Sequence, residues 1–298
     1  MFETFTKFAV TVDGVEIAGR ISQPTADPKP ALLLLHGHPE SHLMWHKIAD
    51  RLAEKYTVVM PDLRGYGASG LPASDPQHLA YSKRTMARDQ ALLMEHFGAE
   101  RGFGQYAVCA HDRGARVAHR LVADYPDKVT AAILLDIAPT LDMYESTDRA
   151  FAEAYFHWFF LIQPAPLPES LIEANPGGYI ENLMGSRYAG LIPFPAEVLD
   201  SYVAALSRPG AVHAMCEDYR ASSTIDLEHD RDDRNNGALI DTPLRVLWGE
   251  HGVVGKQFDP LALWQAVAPK ATGRALDAGH YLPEEAPEDV LQEILDFL

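Results

Sequence analysis

Tyr106-Ala107-Val108-Cys109-Ala110 runs directly into His111-Asp112-Arg113-Gly114-Ala115-Arg116, and the reading of this stretch decides the fold. The first five residues form a short, unbroken apolar run, as expected of a strand covered on both faces. Beyond Gly114, Val117 and Leu121 share one face of a helical pattern. The chain must therefore turn sharply between the two, and small residues stand two places before Asp112 (Ala110) and two places after it (Gly114). That spacing suits a strand-turn-helix elbow holding its central residue in a strained backbone conformation. Two uses fit Asp112. It can N-cap the helix that follows, a common role for Asp, or it can be a carboxylate nucleophile exposed at the carboxyl end of a sheet.

Outward from the elbow the same kind of apolar run recurs at Ala31–Leu35, Thr57–Met60, Ala131–Leu135, Leu244–Trp248 and Arg274–Leu276. An N-terminal hairpin is expected from Phe8–Val12 and Val15–Ile21 around the turn pair Asp13-Gly14. Helical spacing falls between the runs: Trp45, Ile48 and Leu52 share one face, as do Met86, Leu93 and Phe97. A last helix opens at Pro287 and carries Val290, Leu291 and Ile294. Strands alternating with helices imply βαβ units and a mostly parallel central sheet with helices on both faces. Residues 140–231 break the alternation. They hold no buried-strand pattern but are dense in aromatics and prolines, so a helical insertion is expected between core segments 1–139 and 232–298.

The chain has 298 residues, 22% charged and 47% apolar, with 25 basic and 42 acidic side chains for a net charge of −17. So acidic a surface repels nucleic acid and anionic membranes, so neither is an expected partner. Two cysteines, Cys109 and Cys216, cannot build a disulfide framework and read as free thiols of a reducing compartment. No secretory signal or membrane-spanning run is visible, so a cytoplasmic protein is expected. A small anionic substrate would need local arginines, and Arg113 and Arg116 flank the elbow one helical turn apart.

Asp136 ends the run after the elbow helix, and Gly279-His280 follows the last one. Nucleophile, acid, histidine is the chain order of an α/β-hydrolase triad. His36-Gly37-His38-Pro39 resembles that family's oxyanion loop, and Asp62-Leu63-Arg64-Gly65-Tyr66-Gly67-Ala68-Ser69 resembles its next signature loop. The resemblance covers essentially the whole chain and implies an α/β-hydrolase fold with a helical cap after the sixth strand. Asp in place of Ser at the elbow restricts it to the dehalogenase and epoxide-hydrolase branches. Asp-Arg-Gly-x-Arg at 112–116, with His157-Trp158 and Tyr219 in the cap, resembles the fluoroacetate dehalogenases. His38 departs from that pattern, where an aromatic residue is more usual.

The resemblance implies a hydrolase of short 2-haloacids. Asp112 would be the nucleophile, His280 the base and Asp136 its orienting acid, with Glu250 the alternative acid after the seventh strand. Arg113 and Arg116 would hold the substrate carboxylate. The competing reading is a stripe of salt-bridging arginines, which Arg120 continues. His157, Trp158 and Tyr219 would receive the halide, or else serve as ordinary cap packing. Backbone N–H groups of His38 and Arg113 are the expected oxyanion donors. No cofactor is implied, and relatives are often homodimers. His42 and His46 stand at i, i+4, but with no third partner evident they read as a helix face rather than a metal site. An epoxide hydrolase with Tyr155 and Tyr219 as acids is the alternative activity, and a non-catalytic scaffold the alternative class.

Overall fold

The computed structural model describes all residues 1–298. Eight strands form one sheet: β1 (Phe5–Val12), β2 (Val15–Ser22), β3 (Ala31–Leu35), β4 (Thr57–Pro61), β5 (Tyr106–His111), β6 (Val129–Leu135), β7 (Leu244–Gly249) and β8 (Thr272–Leu276). Every run expected from the sequence is a strand, with ends displaced by a few residues. The order across the sheet is β1-β2-β4-β3-β5-β6-β7-β8. The β1–β2 hairpin and the β2–β4 pair are antiparallel, and all remaining pairs are parallel. Asp13 and Gly14 both have positive φ (47° and 78°), as the tight two-residue turn requires.

Alternation along the central strands feeds two separate cores. Leu33, Leu35, Val108 and Ala110 pack on one face of the sheet, while Leu32, Leu34, Ala107 and Cys109 pack on the other. The first face is covered by α2 (Lys83–Arg101) and α3 (Asp112–Asp124) through Met86, Leu93, Phe97, Val117 and Leu121. On the second face lie Trp45 and Ile48, then Leu52 of α1 (Ala49–Leu52), then Val290, Leu291 and Ile294 of the C-terminal helix Pro287–Phe297.

Between β6 and β7 there is no strand. The chain forms α4 (Thr140–Glu145), α5 (Arg149–Ala154), α6 (Phe156–Leu161), α7 (Leu167–Glu173), α8 (Pro176–Gly185), α9 (Ala196–Leu206), α10 (Ala211–Ser222) and α11 (Ile225–Asn235). The last of these runs past residue 231. The parallel strands all end on one edge of the sheet, and the loops leaving β3, β5, β6 and β8 there carry His38, Asp112, Asp136 and His280 in turn. The cap helices close over this edge, the usual place for a site in an open α/β sheet.

Candidate active site

The elbow places Asp112 at φ +45°, in the left-handed region that side chains larger than glycine rarely adopt. Its close packing explains the small neighbours. A Cβ on Gly114 would lie 2.4 Å from the His36 carbonyl oxygen, and one on Gly37 would lie 2.5 Å from the Asp112 Cβ. The Asp112 carboxylate does not cap α3. Its Oδ1 instead accepts a 2.9 Å hydrogen bond from the backbone N–H of His38, across 74 residues.

His280 stands opposite, with Nε2 3.8 Å from Asp112 Oδ2. Its Nδ1 donates to Asp136 Oδ2 at 2.6 Å, and Asp136 Oδ1 accepts from Gly249 N–H at 2.9 Å. Asp136, at φ +51°, is the second strained carboxylate of the site. Glu250 is exposed, and the imidazole bonds Asp136. With Nδ1 committed as a donor to Asp136, Nε2 is the ring nitrogen that faces Asp112.

Burial alone would raise the Asp112 carboxyl, but the positive groups around it (His280, His111, Arg113 and Arg116) hold it well below the usual carboxylate range. His111, in the elbow itself, contributes to that field. Its ring bonds Glu40 Oε2 at 3.1 Å and the His280 carbonyl at 2.8 Å. Burial opposes its charge, yet the Glu40 carboxylate raises it to about 9.

Arg113 and Arg116 are both buried. The Arg113 fork is already occupied: Nε and Nη2 donate to the Asp218 carboxylate at 2.8 and 2.9 Å, and Nη2 also reaches Ser222 Oγ at 2.7 Å. Lys83 and Tyr66 share the same Asp218. Only Nη1 of Arg113 is buried without a partner. Arg116 donates from Nη1 to Thr140 Oγ1 at 2.8 Å, and its Nε is likewise unpartnered. Arg120 is built differently, paired to Asp124 and Asp233 at 3.0 and 2.6 Å.

Above the carboxylate, the cap brings together His157 and Trp158 from α6 and Tyr219 from α10. The Arg113 guanidinium lies 4.1 Å from the Tyr219 ring centroid, and that of Arg116 lies 4.7 Å from the Trp158 ring. The His157 and Tyr219 rings are 6.0 Å apart. His157 Nδ1 and Trp158 Nε1 are buried with no partner. Tyr155 packs against both, 5.3 and 5.5 Å away.

Several contributors escaped the sequence reading: Glu40, His111, Asp218, Tyr179 (which bonds His38) and Arg187. Arg187 lies 5.0 Å from the Tyr155 ring, with its Nε buried and unpartnered. Glu40 and His111 stand inside motifs already singled out, so a buried charge beside Asp112 was a usable signal. Asp218 and Arg187 carried none. The two loop histidines point elsewhere: His42 donates to Asp62 at 2.8 Å, and His46 Nδ1 bonds the Leu43 carbonyl. No group of three or more His, Cys, Asp or Glu side chains is arranged to hold a metal ion. No helix is long and apolar enough to cross a membrane. An open cleft of about 260 Å³ lies away from this chemistry; His119, Arg120, Asp230 and Leu239 line it, and no triad residue does.

Comparison with known proteins agrees with this architecture. A family model described as alpha/beta hydrolase fold matches residues 30–287. A fluoroacetate dehalogenase from Burkholderia sp is 40% identical over 100% of this chain and 95% of its own length. A soluble epoxide hydrolase from Corynebacterium sp. (strain C12) is 31% identical over 93% of each chain. The crystal structure of a putative alpha/beta hydrolase from Nostoc sp PCC 7120 superposes with a TM-score of 0.93. It is 48% identical, covering 100% of this chain and 99% of that one.

Proposed function

The chain belongs to the alpha/beta hydrolase fold family, and from that membership and the site geometry we propose that it hydrolyses the carbon–halogen bond of short 2-haloacids such as fluoroacetate. One observation carries the reading. Buried nitrogens around the Asp112 carboxylate lack protein partners, four of them being Arg113 Nη1, Arg116 Nε, His157 Nδ1 and Trp158 Nε1. Each unsatisfied buried polar group costs about 1–3 kcal/mol, so four beside one nucleophile point to an anionic ligand that completes them.

In this mechanism the substrate carboxylate lies against Arg113 Nη1 and Arg116 Nε. Asp112 Oδ2, the oxygen not held by His38, attacks the halogen-bearing carbon. Its lone pair forms the C–O bond as halide departs with the C–X pair, giving an ester with the protein. His157, Trp158 and Tyr219 stabilise the charge that develops on the halogen. His280 Nε2 then takes a proton from water, whose oxygen attacks the Asp112 carbonyl carbon. The resulting oxyanion on Oδ1 remains on the His38 N–H, with the Arg113 backbone N–H as the second donor, while Asp136 stabilises the imidazolium. Collapse releases the 2-hydroxy acid and regenerates Asp112. Oδ2 leaves as the product hydroxyl, protonated by the His280 imidazolium, Asp112 keeps the oxygen of water, and the second water proton passes to solvent with the halide.

The 31% identical epoxide hydrolase makes an epoxide the proper control. An uncharged epoxide leaves Arg113 Nη1 and Arg116 Nε unsatisfied. Halide release from fluoroacetate and chloroacetate should be measured beside diol formation from a styrene-type epoxide. Haloacid turnover with little epoxide opening is expected; epoxide opening without halide release contradicts the assignment.

A further inference from the structure

His38 was the departure from the family pattern, and its side chain makes contacts that the reaction above does not use. It is buried, follows β3, and gives its backbone N–H to Asp112 at 2.9 Å. Its ring packs with the rings of two candidate halide residues. Tyr219 meets it edge-on with centroids 5.4 Å apart, and His157 lies nearly parallel at 6.3 Å and 18°. With His157 and Tyr219 themselves 6.0 Å apart, the three rings form one mutually packed cluster against the nucleophile. Within it, His38 Nδ1 is buried and has no partner, the same condition as His157 Nδ1.

The other nitrogen has a partner. His38 Nε2 lies 3.0 Å from the Tyr179 hydroxyl of α8, and that hydroxyl has no other protein acceptor. With the Tyr179 hydroxyl as the donor to Nε2, the hydrogen lies on Nδ1, and the ring then presents an N–H donor where a Phe would present only carbon. Burial holds His38 down at about 4, so the ring is a neutral donor in the working range.

We propose that His38 is a fourth hydrogen-bond donor to the departing halide, oriented by Tyr179, and that it biases this chain toward fluoride. The proposal rests on the haloacid reading. Fluoride concentrates its charge and leaves poorly, so C–F cleavage gains most from an added donor that acts as charge develops. Chloride and bromide gain less. His38 is thus a specificity residue, and Tyr179 a positioning residue that acts through it.

Two measurements on the full chain test this. Initial rates of fluoride release from fluoroacetate and chloride release from chloroacetate are compared for wild type, His38→Phe, His38→Gln and Tyr179→Phe, each checked for folding by near-UV circular dichroism. One lost bond to a charged group predicts that His38→Phe lowers the fluoroacetate-to-chloroacetate kcat ratio by about tenfold. His38→Gln, which keeps an N–H, should recover part of the ratio, and Tyr179→Phe should move it the same way by a smaller factor. An unchanged ratio in both His38 variants overturns the proposal. Independently of turnover, sodium fluoride and sodium bromide are titrated while tryptophan fluorescence is followed. His38→Phe should weaken fluoride binding by about tenfold and bromide binding less, and equal effects on both ions overturn the proposal. Should wild type release neither halide from the haloacids, the haloacid reading falls, while the titration still decides whether His38 is a halide donor.

Discussion

The two halves of the site are built on opposite plans. On the core side, each group of the proposed triad has its protein partner: His38 N–H on Asp112, Asp136 on His280, Gly249 N–H on Asp136. On the cap side, His157 Nδ1 and Trp158 Nε1 are buried and left without one, as are the facing atoms of Arg113 and Arg116. The core half is therefore preorganised before substrate arrives, whereas the cap half is completed by it. Core loops hold the chemistry common to many substrates. In the proposed reaction the unsatisfied nitrogens hold the selectivity, because a ligand lacking the matching acceptors leaves them buried and empty.

The sharpest way to break this contrast is to disable one core group. His280→Asn should leave alkylation of Asp112 intact but remove the base, cutting steady-state turnover by about 10²–10⁴-fold. Intact-protein mass spectrometry should then find a trapped ester on residue 112. Full turnover without a trapped adduct would remove His280 from the hydrolytic step.

Asp218 joins the two halves, since this cap acid holds a core arginine with both side chains fully buried. Asp218→Ala strands the Arg113 and Lys83 charges and should cost about 3–5 kcal/mol of stability, read from urea unfolding. A loss below about 1 kcal/mol, the range of an exposed pair, would show that this junction carries little of the fold.

The cap-side and arginine substitutions should act on substrates rather than on the fold. Arg116→Ala removes a charge-assisted bond worth about 1.5–3 kcal/mol, visible as a fall in kcat/KM for haloacetates. Wild-type kinetics in that variant would end the carboxylate role of Arg116. The smallest effect is expected from Trp158→Phe, which keeps most of the ring and deletes one N–H. It should slow fluoroacetate about tenfold and chloroacetate less, whereas equal slowing would reduce Trp158 to a packing residue.

What could be read in the sequence follows the same division. Strands such as Ala31–Leu35 were legible because burial on both faces leaves continuous apolar runs. The elbow was legible because its close backbone approach admits only small residues at Gly114. The mostly parallel sheet and the helices between β6 and β7 followed from these local signals. The counter-charges were not legible. Arg113 finds Asp218 across 105 residues and His111 finds Glu40 across 71. No periodicity records such a pairing, because it exists only once the cap has folded onto the sheet. Arg187 was hidden for the same reason, as a cap arginine that meets the Tyr155 ring only once the cap has folded. The occupied fork of Arg113 also refines the picture of the arginine pair: each offers one free nitrogen, so a carboxylate would be shared between them.

The central claim is that Asp112 is alkylated before water enters, and the path of oxygen tests it most directly. In a single turnover with enzyme in excess in ¹⁸O-water, the new hydroxyl comes from the Asp112 carboxylate. The 2-hydroxy acid should therefore emerge unlabelled, and a peptide containing Asp112 should gain one ¹⁸O atom. Labelled hydroxyl in that first product, with no label in the peptide, would mean that water attacks the carbon directly and that Asp112 is not the nucleophile.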